Sequence, residues 1–78
     1  MSSLERIEVN PNVMLGKPVI RGSRITVELI LRNLADGATE ADLLEAYPGI
    51  SQEDIRSAIR YAAAVIAHEE TRSVAGAG

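Results

Sequence analysis

The spacing of hydrophobic positions changes near residue 26. Before that point, Ile7 and Val9 alternate with Arg6, Glu8 and Asn10, the period-2 pattern of a half-buried strand. Asn10-Pro11-Asn12 then marks a turn, and Gly16-Lys17-Pro18 breaks the chain a second time. Val19 and Ile20 are β-branched and suit a short strand. Arg21-Gly22-Ser23-Arg24 predicts another turn before Ile25. Short extended pieces of this kind do not stand alone. They pack on the helices that follow, or they pair with a second chain.

After residue 26 the period is helical. Thr26 is placed to cap a first helix over 27–36, with Ile25 and Ile30 spaced as a hydrophobic staple and Gly37 as its stop. Val27, Ile30, Leu31 and Leu34 share one face. Thr39 and Asp42 predict the start of a second helix of about two turns, with Leu43, Leu44 and Tyr47 as its apolar positions and Pro48-Gly49 as its end. Ser51 and Asp54 predict the start of a third, with Ile50 and Ile55 as a staple. Its stripe is Ile55, Ile59, Ala62 and Ile66, with Ala58 and Val65 alongside, and it is expected to run to roughly Glu70. The sequence thus predicts a mainly α protein, three helices preceded by a short N-terminal β segment. Residues 1–70 form a single domain with a β arm over 1–25, and 71–78 read as a flexible tail poor in residues to bury.

Length sharpens this picture. A chain of 78 residues buries only about 60–65% of its unfolded surface, and domains of that size usually need disulfides, a metal or a partner copy. There is no cysteine and one histidine, so disulfides are excluded and a metal site is not expected. Oligomerisation remains, and a homodimer is the expectation. Aromatics are 3% of the chain, so the core must be aliphatic and alanine-rich. No apolar run approaches the roughly 18–20 residues of a membrane span, and Glu5, Arg6 and Glu8 fall where a signal peptide would be apolar. Together with the absence of cysteine, this reads as a cytoplasmic protein without a membrane partner.

Catalysis and cofactors are not expected. The lone His68 lies near the end of the third helix, where its charge suits the helix dipole. No serine or cysteine has a base to activate it. Gly16-Lys17-Pro18 lacks the first glycine and the Ser or Thr of a phosphate loop.

Charge is unevenly placed. Net charge is −3 overall, but residues 1–25 hold four cations against two acids, net +2, and residues 26–78 hold four against nine, net −5. A phosphate-binding surface must therefore be local. A two-turn helix, a Pro-Gly turn and a capped longer helix outline a helix-turn-helix, whose second helix reads the major groove with its first turns. Those turns offer Ser51, Gln52, Arg56, Ser57 and Arg60. Gln is suited to adenine, and Arg to guanine or phosphate. Glu53 and Asp54 oppose this reading by repelling phosphate, and ion pairs with surface acids would equally account for Arg56 and Arg60. Lys17, Arg21 and Arg24 flank turns and either reach phosphate beside the helix-turn-helix or solubilise a hairpin. Ile7 and Val9 either pair with their twins at a dimer interface or pair with Val19-Ile20 in the same chain.

The run Gly16-Lys17-Pro18-Val19-Ile20-Arg21-Gly22-Ser23-Arg24-Ile25-Thr26-Val27 is distinctive, as is its continuation through Leu34-Ala35-Asp36-Gly37, Tyr47-Pro48 and Ile55-Arg56-Ser57-Ala58-Ile59-Arg60-Tyr61-Ala62. Across roughly residues 6–62 the chain resembles the bacterial family catalogued as domain of unknown function 433, with Ser23 where Thr is commoner. The resemblance implies a homeodomain-like three-helix bundle with a helix-turn-helix. It also implies an antitoxin of the VapB type that represses its own promoter on double-stranded DNA and neutralises a PIN-like nuclease toxin. In such antitoxins a C-terminal segment reaches the nuclease, which makes Glu69, Glu70 and Arg72 the toxin-binding candidates. A protein-interaction module that never touches DNA is the alternative. Arg24 and Gly22 belong to the family signature, Gly22 to serve the turn and Arg24 either to hold structure or to meet a partner.

Overall fold

The structure, a computed structural model, describes residues 6–77, with side chains described through residue 68. Strand β1 (Ile7–Glu8) pairs antiparallel with β2 (Val19–Ile20), in the register Ile7↔Ile20 and Glu8↔Val19. Helices α1 (Val27–Ala35), α2 (Glu40–Ala46) and α3 (Gln52–Ala77) follow. The fold is therefore mainly helical with a two-stranded N-terminal hairpin, as the hydrophobic spacing implies. The backbone of α3 continues beyond Glu70, where the pattern had placed its end.

Each expected helix start is realised. Thr26 Oγ1 accepts from the Leu29 N–H at 3.0 Å. Thr39 and Asp42 form a reciprocal capping box, the Asp42 N–H donating to Thr39 Oγ1 at 3.1 Å and the Thr39 N–H to Asp42 Oδ2 at 2.9 Å. Ser51 and Asp54 do the same, at 3.2 Å and 2.9 Å. Each pair satisfies two amide donors that a helix start would otherwise leave open. Gly37 stops α1 with φ +102°, a backbone conformation that costs glycine little.

The core is aliphatic. Ile7, Ile20, Val27, Ile30, Leu43, Ile50, Ile55 and Ala58 form one buried cluster, flanked by half-buried Leu31, Leu34, Tyr47 and Tyr61. Ile50 and Ile55, the staple of α3, both lie in it. The hairpin is one wall of this core. Ser23 ties its turn by donating from Oγ to the Ile20 carbonyl at 2.8 Å and accepting from the Ile25 N–H at 3.0 Å. The chain then re-enters beside β2, where the Ile20 N–H donates to the Ile25 carbonyl and the Val27 N–H to the Pro18 carbonyl.

Two expectations at the arm need correction. Ile7 pairs within its own chain and is buried against the helices, so its side chain is not available to a twin strand. Val9 does not share its face, because β1 ends at Glu8 and the chain turns over 10–13, leaving Val9 exposed.

The link between the strands carries strain. Met14 (φ +48°) and Leu15 (φ +58°) precede Gly16 (φ +83°), so three successive residues are left-handed. For a residue with a Cβ this conformation costs about 1–2 kcal/mol. Leu15 is 95% exposed, so packing offsets little of that cost. Leu15→Asn, which tolerates the conformation better, is expected to stabilise the fold by about 0.5–1 kcal/mol and raise Tm by a few degrees. Leu15→Val is expected to lower it. Thermal melts followed by circular dichroism distinguish the two, and a lower Tm for the Asn variant would show that the turn is not strained.

Candidate functional site

Helices α2 and α3 are joined by the tight turn 47–51, closed by an Ile50 N–H donating to the Tyr47 carbonyl at 3.1 Å. Leu43 on α2 and Ile50 and Ile55 beside it are buried, so the helix pair is set by shared core contacts. The first turns of α3 face outward with Gln52, Glu53, Arg56 and Arg60, which together with Ser57 line a depression of about 270 Å³. At 3.6 residues per turn, Arg56 and Arg60 stand close to opposite Ala58, Ala62 and Val65, the residues that face the rest of the chain. The core therefore fixes both arginines outward, one turn apart.

Arg6 supplies what sequence reasoning missed. Its guanidinium donates to Asp54 Oδ1 at 3.1 Å and lies 3.7 Å from Glu53 Oε2. The two acids expected to repel phosphate at this helix start thus share a cation from the β arm. Arg21 is brought to the same end, because its N–H donates to the Arg6 carbonyl at 2.7 Å. Forty-eight positions separate Arg6 from Asp54, and no local spacing signals their meeting.

The remaining candidates divide. Ser57 borders the same depression but is 1% exposed, so it presents almost no surface to a partner there. Gln52 is exposed, but its Nε2 donates to Glu40 Oε1 at 2.9 Å, tying the start of α3 to the start of α2. Ser51 is exposed and engaged as a cap. Arg24 is exposed on the turn after β2. Lys17 is drawn elsewhere. Its Nζ donates to Glu28 Oε1 at 3.1 Å, and it lines a groove with Tyr61 and Val65, on the side of α3 away from Arg56 and Arg60. That hydrogen bond and charge, with Arg32 one turn along α1, hold the Glu28 carboxyl below its ordinary pKa. The side chains of Glu69, Glu70 and Arg72 lie outside the described residues.

Among the described residues no helix is long and apolar enough to cross a membrane. Nor is any group of three His, Asp or Glu side chains among them placed to share a metal ion.

Comparison with known proteins bears on the whole of this framework. The family described as protein of unknown function DUF433 matches residues 7–62. An uncharacterized protein of Sinorhizobium fredii, y4eO, is 37% identical over 60 residues, which are 77% of this chain and 27% of that protein. The chain thus spans about a quarter of the length of that curated relative. The crystal structure of a DUF433 member from Anabaena variabilis superimposes with a TM-score of 0.73 at 31% identity, covering 90% of this chain and 68% of the other.

Proposed function

The chain belongs to the DUF433 family, and from that premise we propose that it is a non-catalytic, DNA-binding regulator of the antitoxin type. In this reading it acts as a homodimer in the cytoplasm, represses its own promoter and neutralises a PIN-like nuclease toxin. The observation that carries the DNA contact is the pair Arg56 and Arg60, held outward on one face of α3 directly after the α2–α3 turn. A helix presented in this way enters a major groove with its N-terminal turns, and arginines there hold phosphate or guanine. Arg6 supports the reading by offsetting Glu53 and Asp54 at the helix start. Arg21 and Arg24 extend the cationic edge from the adjoining hairpin. The nuclease contact rests on the family resemblance and is assigned to Glu69, Glu70 and Arg72.

The test is fluorescence anisotropy of the full chain with the duplex upstream of its own gene, against a scrambled duplex and across a salt series. Preference for the native duplex is expected, with log affinity falling linearly with log salt. Arg56→Ala/Arg60→Ala is expected to weaken binding by about 30-fold or more, since each lost contact of this kind costs on the order of 1–3 kcal/mol. An unchanged circular dichroism spectrum would show that this exposed pair is not structural. No binding at low salt would overturn the DNA contact. It would favour a protein-interaction module, a reading that the −5 net charge of residues 26–78 also suits. The neighbouring open reading frame would then be the next protein to express.

A further inference from the structure

The head of α3 carries three polar side chains in succession, and their contacts set them apart. Gln52 gives its amide N–H to Glu40 Oε1 at 2.9 Å, across to α2. The Asp54 carboxylate serves the fold: it caps α3, meets Arg6, and its side chain is only 13% exposed. Glu53 is different. Its side chain is 76% exposed, and its Oε2 lies 3.7 Å from the Arg6 guanidinium, an ion-pair distance longer than a hydrogen bond. Its charge is thus offset from the arm while its acceptor sites, about four in a carboxylate, face outward. Glu53 also lines the same depression as Arg56 and Arg60. Residues three and four apart on a helix are surface neighbours, so the three form one row. Ser57, small and 1% exposed, stands among the longer side chains and leaves the hollow between them. An acceptor therefore sits at the N-terminal end of the hollow and strong donors along the rest.

We propose that Glu53 determines sequence specificity in the DNA contact, accepting from N4 of a cytosine while Arg56 donates to a guanine in the same or the adjoining base pair. This rests on the DNA reading above and deepens it. A carboxylate only accepts, so it needs a base edge that donates. In the major groove cytosine offers a donor alone, whereas adenine sets its N7 acceptor beside the N6 donor and guanine offers two acceptors. Cytosine therefore suits Glu53, and guanine suits the fork of Arg56. Three residues of helix rise about 4.5 Å and successive base pairs about 3.4 Å, so the two side chains reach neighbouring base edges. Because Arg6 offsets the charge, the role of Glu53 is discrimination between bases rather than affinity.

The test is selection from a pool of random-sequence duplexes by the full chain, followed by fluorescence anisotropy on the selected duplex. The wild-type chain is expected to select a half-site with a fixed cytosine. Glu53→Gln is expected to exchange that cytosine for adenine, which Gln reads through N6 and N7, and to leave the flanking bases unchanged. On duplexes differing only there, the ratio of cytosine to adenine affinity is expected to fall by about 10-fold or more. The ratio is the quantity to read, because removing a negative charge strengthens binding to all DNA and a uniform gain cancels in it. Glu53→Ala is expected to lose the cytosine preference without gaining adenine, and both variants to keep the helical circular dichroism spectrum. If both variants bind every duplex more tightly and select the wild-type motif, Glu53 only repels phosphate, and the proposal is overturned while the DNA contact stands. A wild-type chain that binds duplex but fixes no cytosine would overturn it as well. A wild-type chain that binds no duplex at low salt would refute the DNA reading itself, and this inference with it.

Discussion

Ile30→Ala is expected to remove most of the stability of this domain. Ile30 has no exposed surface and stands in α1 within the core shared by the hairpin and the other two helices. Truncating a fully buried isoleucine loses its transfer free energy and leaves a cavity, at a cost of about 3–4 kcal/mol. A domain of this length has about 4–10 kcal/mol in total. The variant should therefore show a sharply lower midpoint in urea, with the slope of the transition preserved. Ile30→Val, which removes one methylene, should cost about 1 kcal/mol. Urea titrations followed by circular dichroism measure both. A loss below about 1 kcal/mol for the alanine variant would mean that the three helices do not share one close-packed core at this point.

Asp54→Ala is expected to have the second largest effect on stability, because one carboxylate serves three partners. Oδ2 accepts from the Ser51 N–H, Oδ1 accepts from Arg6, and the charge lies in the first turn of α3. Loss of a cap costs about 0.5–2 kcal/mol. The ion pair adds less than a buried one would, because the Arg6 side chain is 40% exposed and solvent screens it. The sum is about 2 kcal/mol, with roughly 0.5–1 kcal/mol of it shared with Arg6. A double-mutant cycle of Asp54→Ala with Arg6→Ala reads that shared part directly. Additive effects would show that the hairpin is held on α3 by Ile7 and Ile20 alone. If DNA is bound as proposed, Arg6→Ala should also weaken it, since Glu53 and Asp54 would face the phosphates without their cation.

The contacts of Arg6 also show where sequence reading stops. The caps at Thr26, Thr39 and Ser51, the staples and the stop at Gly37 were all legible, because each depends on residues within about five positions of one another. Periodicity also placed Val27, Ile30, Leu43, Ile55 and Ala58 in the core. The family resemblance over the central run is confirmed by the match over residues 7–62. Local pattern did not say which face of α3 Ser57 would join. A residue beside an apolar stripe is buried or exposed according to how many elements pack on that helix, and here the core takes it in.

The same physical distinction divides the rest. The sequence by itself determined the order of the elements and the starts of the three helices, since caps, turns and apolar spacing are short-range properties of the chain. It could not choose between intrachain and intermolecular pairing of Ile7, because both bury the same residue. Tertiary structure decided that choice through the register with Ile20. It also carried Arg6 across 48 positions to Asp54, drew Lys17 to Glu28, and left Val65 and Ile66 largely exposed although their spacing marks them as core. Hydrophobic period states which side of a helix is apolar, and only the packed chain states what lies against it.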